Sequence, residues 1–109
     1  LDVAELYMPC STTGVKWMDS FWFCQRGEGP KLIRSGATHM DGILPINPSG
    51  GVVATNPIGA TALIRVGEAA WQIMGRAGER QVPNVKKALA TGFGGCSWSD
   101  AFVLGADLP

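Results

Sequence analysis

The apolar and polar positions divide the chain into stretches of different period. Across Leu1 to Leu6, with Val3 and Leu6 apolar, a short strand is expected, closed by Met8-Pro9. Ser11-Thr12-Thr13 then offers side-chain oxygens suited to a helix N-cap. Val15, Met18, Phe21 and Trp22 follow at helical spacing, predicting an amphipathic, aromatic-rich helix to about Phe23. That stripe reads as core. From Arg26 to Asn47 the glycines at 27, 29, 36 and 42, with Pro30 and Pro45, break every period. This predicts a long loop with a brief extended piece at Ile43–Ile46. A loop of that length in a small domain implies a role or a partner.

Asn47-Pro48-Ser49-Gly50-Gly51 reads as a turn, and a short Val52-Val53-Ala54 run leads to Asn56-Pro57. Asn at the N-cap and Pro at the first helical position predict a helix from there to about Met74. Leu63, Val66, Ala70 and Ile73 form its apolar stripe, widened by Ala62 and Ala69. Gly59, Ala60, Gly67 and the other alanines leave this helix small-sided, so close packing on several sides is expected. Gly75 and Gly78 stop it. Glu79–Pro83 reads as a polar connector. Val85–Thr91 and Trp98–Leu104 read as two strands joined through Gly92-Phe93-Gly94-Gly95, an antiparallel pair.

Composition narrows the classes. The 109 residues fit one domain, with 9 basic and 9 acidic side chains and no net charge. That balance argues against nucleic acid and against a polybasic membrane surface as partners. Apolar residues at 46% support a packed core. Fifteen glycines mark many local backbone needs. Cys10, Cys24 and Cys96 are an odd set without a Cys-x-x-Cys pair, which reads as thiols in a reducing cytoplasm. With a single histidine, His39, a zinc site is not expected. Arg65 and Glu68 interrupt the best candidate for a membrane span. The chain opens at Leu1 and not Met, which points to a cut or processed chain.

Several segments together carry a family resemblance. They are Asp2-Val3-Ala4-Glu5, Arg26-Gly27-Glu28-Gly29, Leu44 to Gly51 (LPINPSGG), Pro57-Ile58-Gly59-Ala60-Thr61 and Arg80-Gln81-Val82-Pro83. The chain resembles the C-terminal part of the thiolase superfamily over nearly its whole length, most closely the sterol-carrier-protein type and thiolase-like proteins of archaea and bacteria. The resemblance implies an α/β fold: the second half of a five-layered thiolase-like fold, a mixed β-sheet with a buried small-residue helix, incomplete on its own. The nucleophile-bearing N-terminal half would be the partner, in the same protein or another subunit, within a homo- or hetero-oligomer. A coenzyme A thioester would be the substrate or ligand, with no covalently bound cofactor.

The family's catalytic positions map onto altered residues. Where the family's His-Pro-x-Gly loop has histidine, this chain has Asn56, with Pro57 and Gly59 keeping the loop's frame. Asn donates a hydrogen bond but takes no proton near neutral pH; it reads equally as a helix cap. Tyr7, the only tyrosine, stands where the family has Asn or His. Its hydroxyl is a candidate acid, as in thiolase-like aldolases built around tyrosine, or simply a strand-end group. Gly92 falls on the acid/base cysteine of the family's Cys-x-Gly loop. Gly94 keeps the backbone amide of the oxyanion hole, and Gly95 follows it at the substrate. Cys96 does not replace the lost cysteine. Ordinary thiolysis is therefore not expected; acyl transfer or retro-aldol chemistry with the missing half is one reading, and a non-catalytic structural subunit is the other. His39 and the Arg26, Lys31, Arg34 cluster read as solvated loop residues, although the cluster would also suit coenzyme A phosphates.

Overall fold

The computed structural model describes residues 1–94 and 98–107. Three strands, β1 (Val3–Glu5), β2 (Lys87–Gly94) and β3 (Trp98–Gly105), form one mixed sheet in the order β1-β2-β3. β1 runs parallel to β2, with Val3 opposite Ala88 and Glu5 opposite Ala90. β2 and β3 are antiparallel, as the sequence pattern predicts. The Asp2 carboxylate sets the start of the parallel pair by accepting the Lys86 and Lys87 amides at 2.8 Å each.

Alternation along β1 assigns the two faces of the sheet. Val3 and Glu5 point to one side, where α4 (Thr61–Met74) lies; Val3, Ala88 and Ala90 pack there with Ala69, Val82 and Val85. Ala4 and Leu6 point to the other, meeting Met18, Trp17 and Phe21 of the α1 region (Ser11–Ser20) together with Leu32 and Ile46. β1 and β2 are thus covered, β2 being buried from Ala88 to Gly92, while β3 is exposed from Trp98 to Val103.

Several elements differ from the sequence pattern. The helix expected to reach Phe23 ends at Ser20, and its N-cap is Cys10, not the Ser-Thr-Thr run. The long loop contains a helix, α2 (Gly29–Arg34), opened by Pro30, where a missing amide costs nothing. Gly51–Ala54 is a short helical turn, α3. Asn56 does not cap the long helix: a 3₁₀ turn at Ile58–Ala60 intervenes and α4 begins at Thr61. Gly92 to Gly94 belong to β2 and are not a turn. Gly95 and Cys96 lie outside the described residues.

The face of α4 toward the sheet also differs. Its buried residues are Thr61, Arg65, Glu68, Ala69 and Gln72, four of them polar. Leu63, expected in the buried stripe, is 73% exposed. The polar set recurs at 61, 65, 68 and 72, a proper helical face. Hydropathy misreads it because each of these side chains meets a hydrogen-bond partner across the chain. Glu68 takes both Arg80 Nε and Nη2 at 3.1 and 3.0 Å, and Gln72 Oε1 accepts the Val82 amide at 2.8 Å. The polar connector after α4 is therefore stitched to the helix. On the opposite side, Leu63, Gly67, Trp71 and Met74 form an open stripe; no atom lies within 4 Å of where a Gly67 β-carbon would be.

Candidate active-site corner at the strand ends

Parallel strands bring their carboxyl ends together, and loops there are the usual place for a ligand in an open α/β sheet. Tyr7 follows β1 at this end. Its amide donates to Thr91 Oγ1 at 2.9 Å, and its carbonyl accepts Trp17 Nε1 at 2.8 Å. The ring stands 5.3 Å from that of Phe93, tilted by 48°. Both backbone groups and the ring of Tyr7 are thereby held, so the half-buried side chain has a defined place beside Gly92 and Phe93.

Asn56 is exposed and tied to the start of α4, on the other face of the sheet. Thr61, fully buried at the start of α4, donates its hydroxyl to Asn56 Oδ1 at 2.9 Å. The next residue, Ala62, lies against Gly92: a β-carbon on that glycine would be 2.5 Å from the Ala62 methyl. Among the described residues the exposed Asn56 amide nitrogen makes no hydrogen bond. Thr91 holds Tyr7 beside Phe93 on the α1 side of β2, whereas Thr61 holds Asn56 on the α4 side, where Ala62 meets Gly92. Neither threonine carries a sequence signal; both read as ordinary helix and strand positions.

The remaining candidates sit around this point. Gly94 pairs with Trp98 across the hairpin, and a side chain on it would run into the Trp98 indole. Pro57 and Gly59 are exposed, with open space beside Gly59. Ile58 between them adopts φ +41°, a left-handed backbone rare for a β-branched residue, at a cost of about 1–3 kcal/mol. Its side chain is 80% exposed. Gly95 lies outside the described residues. His39 is exposed and away from these residues in the loop after α2; its amide closes a turn on Gly36.

The LPINPSGG segment builds the floor of the corner. Ala4 donates to the Pro45 carbonyl at 3.0 Å, and Asn47 donates to the Ala4 carbonyl at 2.7 Å. The Asn47 side chain then continues this ladder, accepting the Leu6 amide at 2.6 Å and donating to the Leu6 carbonyl at 3.0 Å. A carboxamide here does the work of one more peptide unit, fixing the chain one residue before Tyr7. Gly51, at φ +59°, turns the segment away; a β-carbon there would lie 2.8 Å from Asn47 Nδ2.

Beneath this ladder lies a buried charged group of residues. Ser49 gives its amide to Glu5 Oε1 at 3.0 Å and its hydroxyl to Oε2 at 2.7 Å. Arg65 Nη1 donates to Glu5 Oε2 at 3.1 Å and to Ser49 Oγ at 2.7 Å, while its buried Nε has no partner among the described residues. Burial pushes the Glu5 carboxyl up, with the Glu68 charge acting in the same direction, against the Ser49 hydrogen bonds and the attraction of Arg65. Sequence reading noticed Arg65 only as a break in an apolar run. The available signal was its position four residues after Thr61, on the face that meets Glu5.

Cys10 caps α1 at the far end of the Tyr7-Met8-Pro9-Cys10 segment. Its exposed thiol lies 3.3 and 2.9 Å from the hydroxyls of Thr12 and Thr13. Those hydrogen bonds, the Thr13 amide and Lys16 bring the thiol down to about 7. Cys24 is shifted the other way by desolvation and by Asp19.

The fold is that of a thiolase-type C-terminal domain. The model of the family described as thiolase C-terminal domain-like matches residues 1–106, and the chain belongs to that family. Over 96 residues it is 35% identical to an acetyl-CoA acetyltransferase of Methanothermobacter thermautotrophicus, covering 87% of this chain and 25% of that protein. It is 39% identical over 95 residues to human sterol carrier protein 2, covering 86% of this chain and 17% of the relative. The chain therefore spans a quarter or less of the length of these relatives. Among solved structures, the Ltp2-ChsH2(DUF35) aldolase superposes with a TM-score of 0.82 at 26% identity, over 98% of this chain and 27% of that one. Among the described residues no helix is long and apolar enough to cross a membrane.

Proposed function

We propose that this chain is the C-terminal part of a thiolase-like protein that binds an acyl-coenzyme A and acts on a carbon–carbon bond within it, thiolysis having been lost. The observation that supports this reading is that Tyr7, through Thr91, is tied to the last residues of β2, and that Asn56, through Thr61, is tied to the start of α4 that packs on Gly92. The site keeps hydrogen-bond donors and lacks a proton-shuttling side chain at Gly92. Donors hold the negative charge of an enolate; they do not make one.

In a retro-aldol step the hydroxyl proton of a 3-hydroxyacyl thioester leaves to a base outside this chain. The bond between the α and β carbons breaks, a carbonyl forms at the β carbon, and the electron pair moves to the thioester oxygen. The Asn56 amide and the Gly94 amide hold that oxygen, and the Tyr7 hydroxyl returns a proton to the α carbon. Pro57 and Gly59 line the substrate side. Coenzyme A enters as part of the substrate, without a covalent cofactor.

The N-terminal half of a thiolase-like protein, in the same polypeptide or a partner subunit, would cover the open α4 stripe of Leu63, Gly67, Trp71 and Met74 and supply the base. The share of the relatives that this chain spans supports this. Oligomers follow for the complete assembly. Two free thiols, Cys10 and Cys24, suit a reducing cytoplasm.

A non-catalytic role has one observation in its favour: Asn56 already gives its carboxamide oxygen to Thr61. Product analysis with the full-length protein separates the two. A 3-hydroxyacyl-coenzyme A is expected to be cleaved to an aldehyde or ketone and a shorter thioester, while a 3-ketoacyl thioester with free coenzyme A is left intact. Thiolysis of the second substrate, or no cleavage of either, would overturn the reading.

A further inference from the structure

Away from the strand ends, α1 runs into a turn that presents Trp22 to solvent. The indole is 89% exposed, and the residue adopts φ +55°. A bulky side chain in the left-handed region is a backbone outlier, and such strain collects at functional positions. Phe21 and Phe23, on either side, pack into the core, so Trp22 is turned out between two anchored neighbours. It lines an open cleft of about 790 Å³ with Lys16, Asp19, Ser20, Gln25 and Arg26.

The cleft carries two cations, Lys16 and Arg26, against the single carboxylate of Asp19, a net positive charge. Asp19 is internally engaged: its carboxylate accepts the Gly27 amide at 3.0 Å and lies 3.6 Å from the Cys24 thiol. Among the described residues neither Lys16 nor Arg26 makes an ion pair. One wholly exposed tryptophan is therefore bordered by two unpaired cations. Tryptophan and arginine are the residues most enriched among binding hot spots, where an apolar centre is surrounded by a polar rim. The cleft is open and too shallow to enclose a small molecule on most sides, as ligand pockets do.

We infer that the Trp22 cleft is a docking surface for an acidic segment of a partner protein, which packs an apolar side chain on the indole and sets carboxylates against Lys16 and Arg26. It is separate from the strand-end corner and does not depend on the chemistry proposed there.

The test uses the full-length protein and a fluorescein-labelled decapeptide of alternating Glu and Leu, with a Lys-Leu decapeptide as control, read by fluorescence anisotropy. The acidic peptide is expected to bind, to weaken as salt rises, and to outbind the basic one. Trp22→Gly is expected to reduce binding about tenfold or more while melting no lower than the parent, since glycine accepts the positive φ. Lys16→Glu with Arg26→Glu is expected to do the same and to favour the basic peptide. Equal binding of both peptides, binding unchanged in these variants, or displacement of the peptide by ADP at equal concentration would overturn the proposal.

Discussion

The β-carbon that Gly92 lacks would lie 2.5 Å from the Ala62 methyl. Real β-carbons do not approach so closely, so α4 reaches its position over β2 only because residue 92 has no side chain. Gly92 is thus a packing requirement of this chain.

Gly92→Cys should therefore not restore proton shuttling. It is expected to destabilise the protein by about 1–3 kcal/mol, the usual range for overpacking. Adding Ala62→Gly removes the collision and should recover part of that loss, in excess of what the two single changes predict by addition. Denaturant unfolding of the parent, both single variants and the double variant checks it.

The strands, the antiparallel pair and the long helix were legible in the sequence because apolar periodicity records them. The face of α4 was not. Thr61, Arg65, Glu68 and Gln72 look solvent-facing to any hydropathy count, and only their partners across the chain reveal them as interior. Likewise the LPINPSGG motif announced a turn. It did not show that Asn47 would stand in for a peptide unit beside β1, because that requires residue 6 and residue 47 to be neighbours. Tyr7, Asn56 and Gly92 were singled out by resemblance alone; Thr91, which holds Tyr7, and Thr61, which holds Asn56, are silent in a single sequence.

The Glu5–Ser49–Arg65 group predicts a pH signature. Glu5 carries its proton in the folded protein at pH values above its ordinary 4.5. The folded state therefore binds more protons than the unfolded one in that window, and this contribution to stability is full below it and lost as pH rises. Glu5→Gln should remove that slope in a plot of unfolding free energy against pH. Asp2, lowered by the Lys86 and Lys87 amides, acts in the opposite sense and is lost at lower pH, so the two separate by position.

Removing only the cation is a different matter. Arg65→Ala leaves a buried carboxylate facing Glu68 without its counter-charge and should cost about 3–5 kcal/mol near neutral pH. Arg65→Met with Glu5→Gln should be distinctly less destabilising. Thermal and denaturant unfolding of both variants checks the order.

Cys10 should be the more reactive of the two described thiols. With its thiol at about 7, roughly half is thiolate at neutral pH. Iodoacetamide labelling followed by mass spectrometry is expected to modify Cys10 before Cys24, with a rate that inflects near pH 7. Thr13→Val should move the inflection upward by removing one hydrogen bond to sulfur.

The central claim is that the strand-end corner holds Tyr7 as an acid beside enolate donors, and the most direct test is turnover by Tyr7→Phe in the full-length protein. The ring and its contact with Phe93 survive that change, as does the backbone bond to Thr91. Turnover of a 3-hydroxyacyl-coenzyme A is predicted to fall by about a hundredfold or more, with KM little changed and unfolding unaltered. Turnover equal to that of the parent would contradict the account.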